Sequence, residues 1–323
     1  MPNQTTVSFV IPHKGREQLL RETLLSIKAQ QTTLLYDVQL VTQNTELAPE
    51  TLALLETMPV FASYEDEALT ISALRNRGAA RSTAPCLAFL DADIGLAPDW
   101  LETVHRLLTQ HSDYALVSAH QFCDSNGSPL EKVRTQLSNM QVDTDVRFLP
   151  GRNLFLHRSS FDAVGGFPEH LITCEDYWFT ERVSKIGKLW YTTETQYEHF
   201  GEDRDHRAMF RKEIWRGQSN WASMGGRTIP LGEWPSFLVP PVLTLLTLTV
   251  PLLLLAGLTQ TAAIVTLIVA ACLCAYVLRV WQAGRGRISL LSVLRFYIYY
   301  FPARTLGTLA GIWPKLDTTT HQS

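Results

Sequence analysis

The sequence predicts an α/β domain built on a largely parallel sheet, followed by a helical hairpin in a membrane. Three observations carry this. Short β-branched or apolar runs alternate with helix-period segments, which is the pattern of βαβ units. One run, Cys86 to Leu90 (CLAFL), is apolar throughout, as a strand buried on both faces must be, and Asp91 and Asp93 stand at its carboxyl end. Finally, Phe237 to Leu258 and Thr261 to Leu278 contain no charged residue, and a bilayer core needs about twenty apolar residues in a helix.

The elements follow in order. Val7 to Ile11 is a first strand that Pro12 turns out of, and His13-Lys14-Gly15-Arg16 is a polar loop. Leu19, Leu20, Leu24 and Ile27 keep a helical period over Glu17 to Gln30, and Val38 to Val41 is a second strand. The crossover between them should be right-handed. Phe61 to Tyr64 reads as a third strand. Ser72 to Ser82 reads as a helix whose small residues Gly78, Ala79 and Ala80 allow close approach to a sheet. Beyond Asp93, Pro98 and Asp99 start a helix from Trp100 to His111. Ala115 to Ala119 is a strand, Phe122 to Val146 an irregular loop near the site, and Gly151 to Leu156 another strand. Ser160 to Val164 is a short helix and Glu175 to Ile186 a longer one. Leu189 to Thr192 is the last strand, Gln196 to Asp203 a loop holding His199, and Arg204 to Ser223 a basic amphipathic helix.

The 323-residue chain has a net charge of -3 and no long basic run, which argues against a nucleic-acid partner. Its five cysteines are scattered, with no disulfide framework or metal-ligand spacing, so a reducing compartment is expected. The N-terminus lacks the pattern of a secretory signal. Acids one residue apart beyond a strand can hold a divalent cation that also grips a diphosphate, although Asp is also a common turn residue. Glu175 and Asp176 are favourable at a helix N-terminus on dipole grounds alone.

In order, VSFVIPHKGR, ALRNRGAA, FLDAD, GRNLFLHRSSFDAVGGF and CEDYWFTERV resemble the family 2 glycosyltransferases, enzymes of the GT-A fold, from about Val7 to Ser223. The resemblance implies inverting sugar transfer from a nucleotide-sugar donor, a UDP- or GDP-sugar, with Mn²⁺ or Mg²⁺. It implies Asp93 on the cation and Asp91 on the ribose or the metal's water shell. Asp176 would be the general base, Glu175 would orient the acceptor, and Arg75 would reach the nucleotide. His199 would be a third metal ligand or a diphosphate contact. Donor and acceptor contacts would also come from Pro12, Gln43, Arg152 and Trp178, with Gly151, Arg152 and Asn153 on the acceptor side. Trp178 has two readings, a sugar-stacking platform or core. Gly165-Gly166-Phe167 would be a tight turn that places the Glu175–Asp176 helix. The family's paired acids after the second strand are replaced by Thr42 and Gln43. Gln43 can still read a base by hydrogen bonding, but the change keeps a non-catalytic nucleotide-sugar-binding or scaffold protein as the alternative.

The expected organisation is a GT-A domain over 1–230 and a membrane region over 231–323. Spans are expected at about 237–258 and 261–280, and an amphipathic interfacial segment at 288–313. Pro240, Pro241 and Pro251 are expected to kink or delay the first span. Arg279, Arg285, Arg287, Arg295 and Arg304 follow the second, so the positive-inside rule puts that end in the cytoplasm, and an even number of spans puts the catalytic domain there too. The expectation is therefore a multi-pass inner-membrane protein acting on a saccharide or lipid-linked acceptor.

Overall fold

A computed structural model describes residues 5–218, 220–221 and 231–311. The chain divides into two compact units. Of the described residues, the first holds those up to Phe122 and Gln141–Gly201, and the second holds Cys123–Met140 and those from Glu202 to Gly311.

The first unit is a mixed sheet. Its strands are β1 Val7–His13, β2 Tyr36–Thr42, β3 Val60–Tyr64, β4 Cys86–Leu90, β5 Ile94–Leu96, β6 Tyr114–Phe122, β7 Thr144–Val146, β8 Asn153–His157 and β9 Lys188–His199. The order is β3-β2-β1-β4-β8-β6-β9-β5, with β7 on β9. From β3 to β4 the pairing is parallel, while β8 joins β4 antiparallel. The helices are α1 Glu17–Lys28, α2 Pro49–Leu55, α3 Ile71–Arg81, α4 Trp100–Gln110, α6 Arg158–Val164 and α7 Glu175–Val183.

Strand alternation builds the two cores. Val7, Phe9 and Ile11 of β1 and Cys86, Ala88 and Leu90 of β4 face one cluster, with Leu20, Leu24 and Ile27 of α1 and Leu101, Val104 and Leu108 of α4. Val10, Leu87 and Phe89 face the other, with Phe161, Phe167, Phe179 and Val183. Every residue of β4 is buried, as its unbroken apolar run required. A Cβ on Gly78 would lie 2.5 Å from Val10 Cγ1, which is why α3 carries glycine where it presses on β1.

Several elements differ from the sequence reading. β1 runs through Pro12 to His13. Its ladder with β4 ends at Val10, so the N–H that proline lacks is not needed there. β9 continues past an irregularity near Thr192 to His199, so His199 lies on a strand and not in a loop. β5, absent from the sequence reading, pairs with that extension. The polar stretch after Phe122 contains a helix, α5 Pro129–Ser138, closed by a reciprocal capping box between Ser128 and Glu131.

The second unit is helical: α5, α8 His206–Gly217, α9 Trp234–Leu255, α10 Thr259–Ala283 and α11 Leu290–Ala310. α9 and α10 are long and apolar enough to cross a membrane. α9 continues through all three of its inner prolines. The end of the basic segment expected to reach Ser223 lies outside the described residues. α8 and α11 meet backbone to backbone, because Gly217 and Gly307 have no side chains to hold them apart; a Cβ on Gly307 would fall 2.3 Å from the Ile214 carbonyl oxygen.

Glu213 joins three helices of this unit. It binds Arg134 of α5 at 3.0 Å, Arg216 of α8 at 2.5 Å and Arg304 of α11 at 3.3 Å. Burial pushes its carboxyl up, but the charges of Arg216, Arg134 and Arg304 outweigh that and hold it at about 2, against 4.5 ordinarily. A depressed carboxyl contributes stability that is complete above pH 4.5 and is lost as pH falls toward 2. Glu213→Gln is therefore expected to cost about 3 kcal/mol at neutral pH and to flatten the acid-side loss. Thermal unfolding from pH 7 downward checks both; an equally steep acid loss in the variant would remove Glu213 as its source.

Candidate active site

The chain runs β1, β2, β3 in one direction across the sheet and then returns to place β4 on the other side of β1. The crevice beyond the carboxyl ends of β1 and β4 is therefore a topological switch point, where open α/β sheets bind ligands. Arg16 follows β1, and Asp91 and Asp93 follow β4.

Asp93 is almost fully buried. Its Oδ2 lies 3.0 Å from Arg16 Nη2 and its Oδ1 lies 3.4 Å from His199 Nε2. The β5–β9 ladder explains the second contact, because it sets Ile94 opposite His199, and the Phe200 N–H donates to the Asp93 carbonyl. Burial raises the Asp93 carboxyl, but the His199 hydrogen bond and the charges of His199, Arg16 and Arg152 bring it down to about 2, so it is ionised at neutral pH. Gly201 closes the cradle: a Cβ there would sit 2.1 Å from Asp93 Oδ2.

Asp91 turns the other way. Its Oδ1 accepts from Arg75 Nη2 at 2.8 Å. Arg75 is 1% exposed. It also donates to Glu175 Oε1 at 3.0 Å and to the Gly151 carbonyl at 3.2 Å, with its guanidinium 5.0 Å from the Phe167 ring centre. Arg75 thus ties the carboxylate after β4 to the acid that opens α7. It is buried among these partners. Asp176 Oδ2 accepts the Gly151 N–H at 3.2 Å, and its Oδ1 accepts the Tyr177 N–H at 2.8 Å. Burial raises both acids. Glu175 goes to about 7, with Asp176's charge adding to the rise and Arg75 opposing it. Asp176 also lies above the usual carboxylate range, with Arg75 and the two N–H groups restraining it.

The α7 end is set by the turn at Gly165-Gly166-Phe167. Gly165 and Gly166 have φ of 80° and 74°. Asn76 of α3 clips the turn, accepting the Phe167 N–H and donating to its carbonyl, both at 2.9 Å. Phe167 stacks on Phe179 of α7 with centres 4.0 Å apart.

The other sequence-derived residues divide. Arg152 Nη1 donates to Gln121 Oε1 at 2.7 Å and contributes charge to Asp93. Asn153 is fully buried and bonds Trp100 and the Ala119 backbone, so it holds β8 to its neighbours. One face of Trp178 carries the Arg182 guanidinium at 3.7 Å from the ring centre. Gln43 spends both amide donors on the Asp66 and Leu69 carbonyls, which leaves Oε1 to meet a ligand. Thr42 Oγ1 pairs with His13 Nδ1 at 2.9 Å. Burial lowers the His13 pKa, so this imidazole is neutral at pH 7. Pro12 is buried at the end of β1.

Among the described residues no three His, Cys, Asp or Glu side chains converge as a metal cage. An ionised buried carboxylate with a second acid two residues away nonetheless fits Mg²⁺ or Mn²⁺ chemistry, in which one or two carboxylates are completed by substrate phosphates and water. The sequence reading missed Arg16, the Gly151 N–H, Asn76 and Gly201. Arg16 and Gly201 sit beside named motifs, so proximity alone was their signal.

Residues 8–165 match the family described as Glycosyl transferase family 2. A curated relative, glycosyltransferase AglE of Haloferax volcanii, is 29% identical over 126 residues, 38% of this chain and 41% of that protein. The matched stretch spans about two fifths of the relative's length. Among solved structures, the mannosyltransferase PcManGT from Pyrobaculum calidifontis, determined with GDP-Man and Mn²⁺, superposes with a TM-score of 0.67 at 17% identity, over 95% of this chain and 88% of that one. The first unit therefore has a GT-A-like fold. The chain carries a family 2 glycosyltransferase domain.

Proposed function

We propose that the protein is an inverting glycosyltransferase that moves a sugar from a UDP- or GDP-sugar to a saccharide or lipid-linked acceptor at the cytoplasmic face of the inner membrane. The observation that carries this reading is the Arg75 bridge, which joins Asp91 beside the switch-point crevice to Glu175, the neighbour of Asp176. Donor-side and acceptor-side acids thereby share one network.

In this reading Asp93 and Asp91, with His199 behind them, hold Mn²⁺ or Mg²⁺. Bound there, the cation would supply Lewis-acid stabilisation of the departing diphosphate. Asp176 takes the proton from the acceptor hydroxyl as its oxygen bonds to the anomeric carbon and the bond to the diphosphate breaks. Its raised pKa makes it a stronger base than an ordinary aspartate. Glu175 orients the acceptor, and Arg152 and the open edge of Trp178 border it. Pro12 and Gln43 Oε1 lie at the strand ends where the nucleotide base would rest. The two apolar helices and the arginines after the second support the cytoplasmic placement. PcManGT, a structural relative, binds GDP-Man and Mn²⁺, which makes GDP-mannose the first donor to test.

The internal engagement of Thr42 and Gln43 favours one other reading, a non-catalytic nucleotide-sugar-binding protein. Thermal unfolding of the full chain with Mn²⁺ and a set of nucleotide sugars is the test of donor binding. A bound donor at a hundredfold its Kd stabilises by about 2.7 kcal/mol. The expected result is a rise with at least one GDP- or UDP-sugar in the wild type and none in Asp93→Asn. No rise with any of them would contradict the reading, and binding without turnover would favour the alternative.

A further inference from the structure

Both oxygens of Asp93 are already engaged. Arg16 holds Oδ2 and His199 faces Oδ1. A cation can share a carboxylate with hydrogen-bond donors, but a guanidinium charge on the same oxygen repels it, so metal binding is favoured when one partner withdraws. The two differ in freedom. His199 is on a hydrogen-bonded strand, in register with Ile94, and its side chain is 10% exposed. Arg16 reaches Asp93 from a loop at the crevice, and its side chain is 60% exposed. Arg16 is the partner built to leave.

Its backbone is fixed by its neighbours, while its side chain is largely exposed. Arg16 has φ 27° and ψ 51°, a left-handed conformation unusual for a side-chain-bearing residue, directly after Gly15 at φ 64°. Such strain persists only where surrounding structure fixes it. Here the Gly15 N–H donates to Asn44 Oδ1 at 2.7 Å, Asn44 donates to Glu17, and the Arg16 carbonyl starts α1. The Arg16 side chain makes no capping bond to α1. Gly201 packs its backbone against the same ion pair, since a Cβ there would also lie 2.8 Å from Arg16 Nη1.

We infer that Arg16 is a stand-in cation: it neutralises Asp93 in the free protein, yields that oxygen to the divalent cation, and then binds the diphosphate of the incoming donor. This rests on the function proposed above. It makes Arg16 a donor-binding residue with opposite effects on the two ligands. Alone, the metal must compete with Arg16 for Asp93 and sit beside its charge. Once a diphosphate arrives, the displaced guanidinium faces an anion it can hold with a bidentate fork.

The experiment measures Mn²⁺ binding to the full chain in detergent by the electron paramagnetic resonance signal of free Mn²⁺. GDP and UDP binding is then measured at saturating Mn²⁺. Arg16→Gln keeps the length of the side chain and removes the charge. It is expected to bind Mn²⁺ alone roughly two- to fivefold more tightly than the wild type, and the nucleoside diphosphate roughly two- to fivefold more weakly, the range for one partly exposed ion pair. Arg16→Lys, which retains the charge, should leave Mn²⁺ affinity near the wild-type value and controls for folding. Asp93→Asn separates the two levels of the argument. If that variant binds Mn²⁺ as the wild type does, the site reading falls and this inference with it. If Asp93→Asn abolishes binding and Arg16→Gln binds Mn²⁺ no more tightly, the stand-in role alone is overturned. Tighter Mn²⁺ with unchanged diphosphate affinity overturns the hand-over.

Discussion

Asp176→Asn is expected to lower the turnover number by about 10²- to 10⁴-fold, the usual contribution of a general base, with donor affinity within about twofold of the wild type. The substitution is nearly isosteric. An asparagine carbonyl can still accept from the Gly151 or the Tyr177 N–H, the two bonds that place the carboxylate now. What it cannot do is take a proton. A drop in turnover without a change in donor binding is thus the signature of a group that acts only as the bond forms. Equal turnover would remove Asp176 as the base. The wild type should also lose activity as pH falls through a range above that of ordinary carboxylates, because burial raises both Asp176 and Glu175, the latter to about 7. Activity is retained on the high-pH side, where the base is ionised.

Arg75→Met should cost stability as well as activity. The guanidinium is the buried countercharge for Asp91 and Glu175 and also moderates Asp176. Removing one partner of a buried ion pair strands the rest, at about 3–5 kcal/mol. The stranded acids respond by taking up protons, so Glu175 moves further above 7 and the variant should recover stability on mild acidification. Lysine is a poor rescue, because a point charge on a flexible stem does not bridge Asp91, Glu175 and the Gly151 carbonyl together. Adding Glu175→Gln to Arg75→Met should restore part of the loss, since the two residues share one network. Urea unfolding of the single and double variants decides this. Simple additivity would show that Arg75 fills space and does not balance charge.

The sequence carried the layered α/β order, the buried strand before Asp91, the helix opening at Glu175 and the two apolar helices. These are period and composition signals, and they survive without tertiary information. Elements made by pairing were not visible. β5 is three residues long, and its partner is an extension of β9 past an irregularity, so neither has a hydrophobic period to read. α5 follows a polar stretch, and its Ser128–Glu131 capping box was the overlooked local cue. The site shows the same division. Asp91, Asp93, Glu175 and Asp176 were legible because motifs name them. That Arg75 faces inward, and that Arg16 and His199 share Asp93, depends on contacts between residues 77 apart for Arg16–Asp93, 100 apart for Arg75–Glu175 and 106 apart for His199–Asp93. No spacing in the chain encodes such distances.

The most direct measurement is a structure of the full chain with Mn²⁺ and a nucleotide sugar. An Asp93 oxygen is expected in the cation's coordination sphere, at about 2.0–2.3 Å. The Asp176 carboxylate is expected on the face of the sugar opposite the diphosphate. A cation bound away from Asp93, or a sugar seated where Asp176 cannot reach an acceptor hydroxyl, would contradict the proposed roles of these two acids.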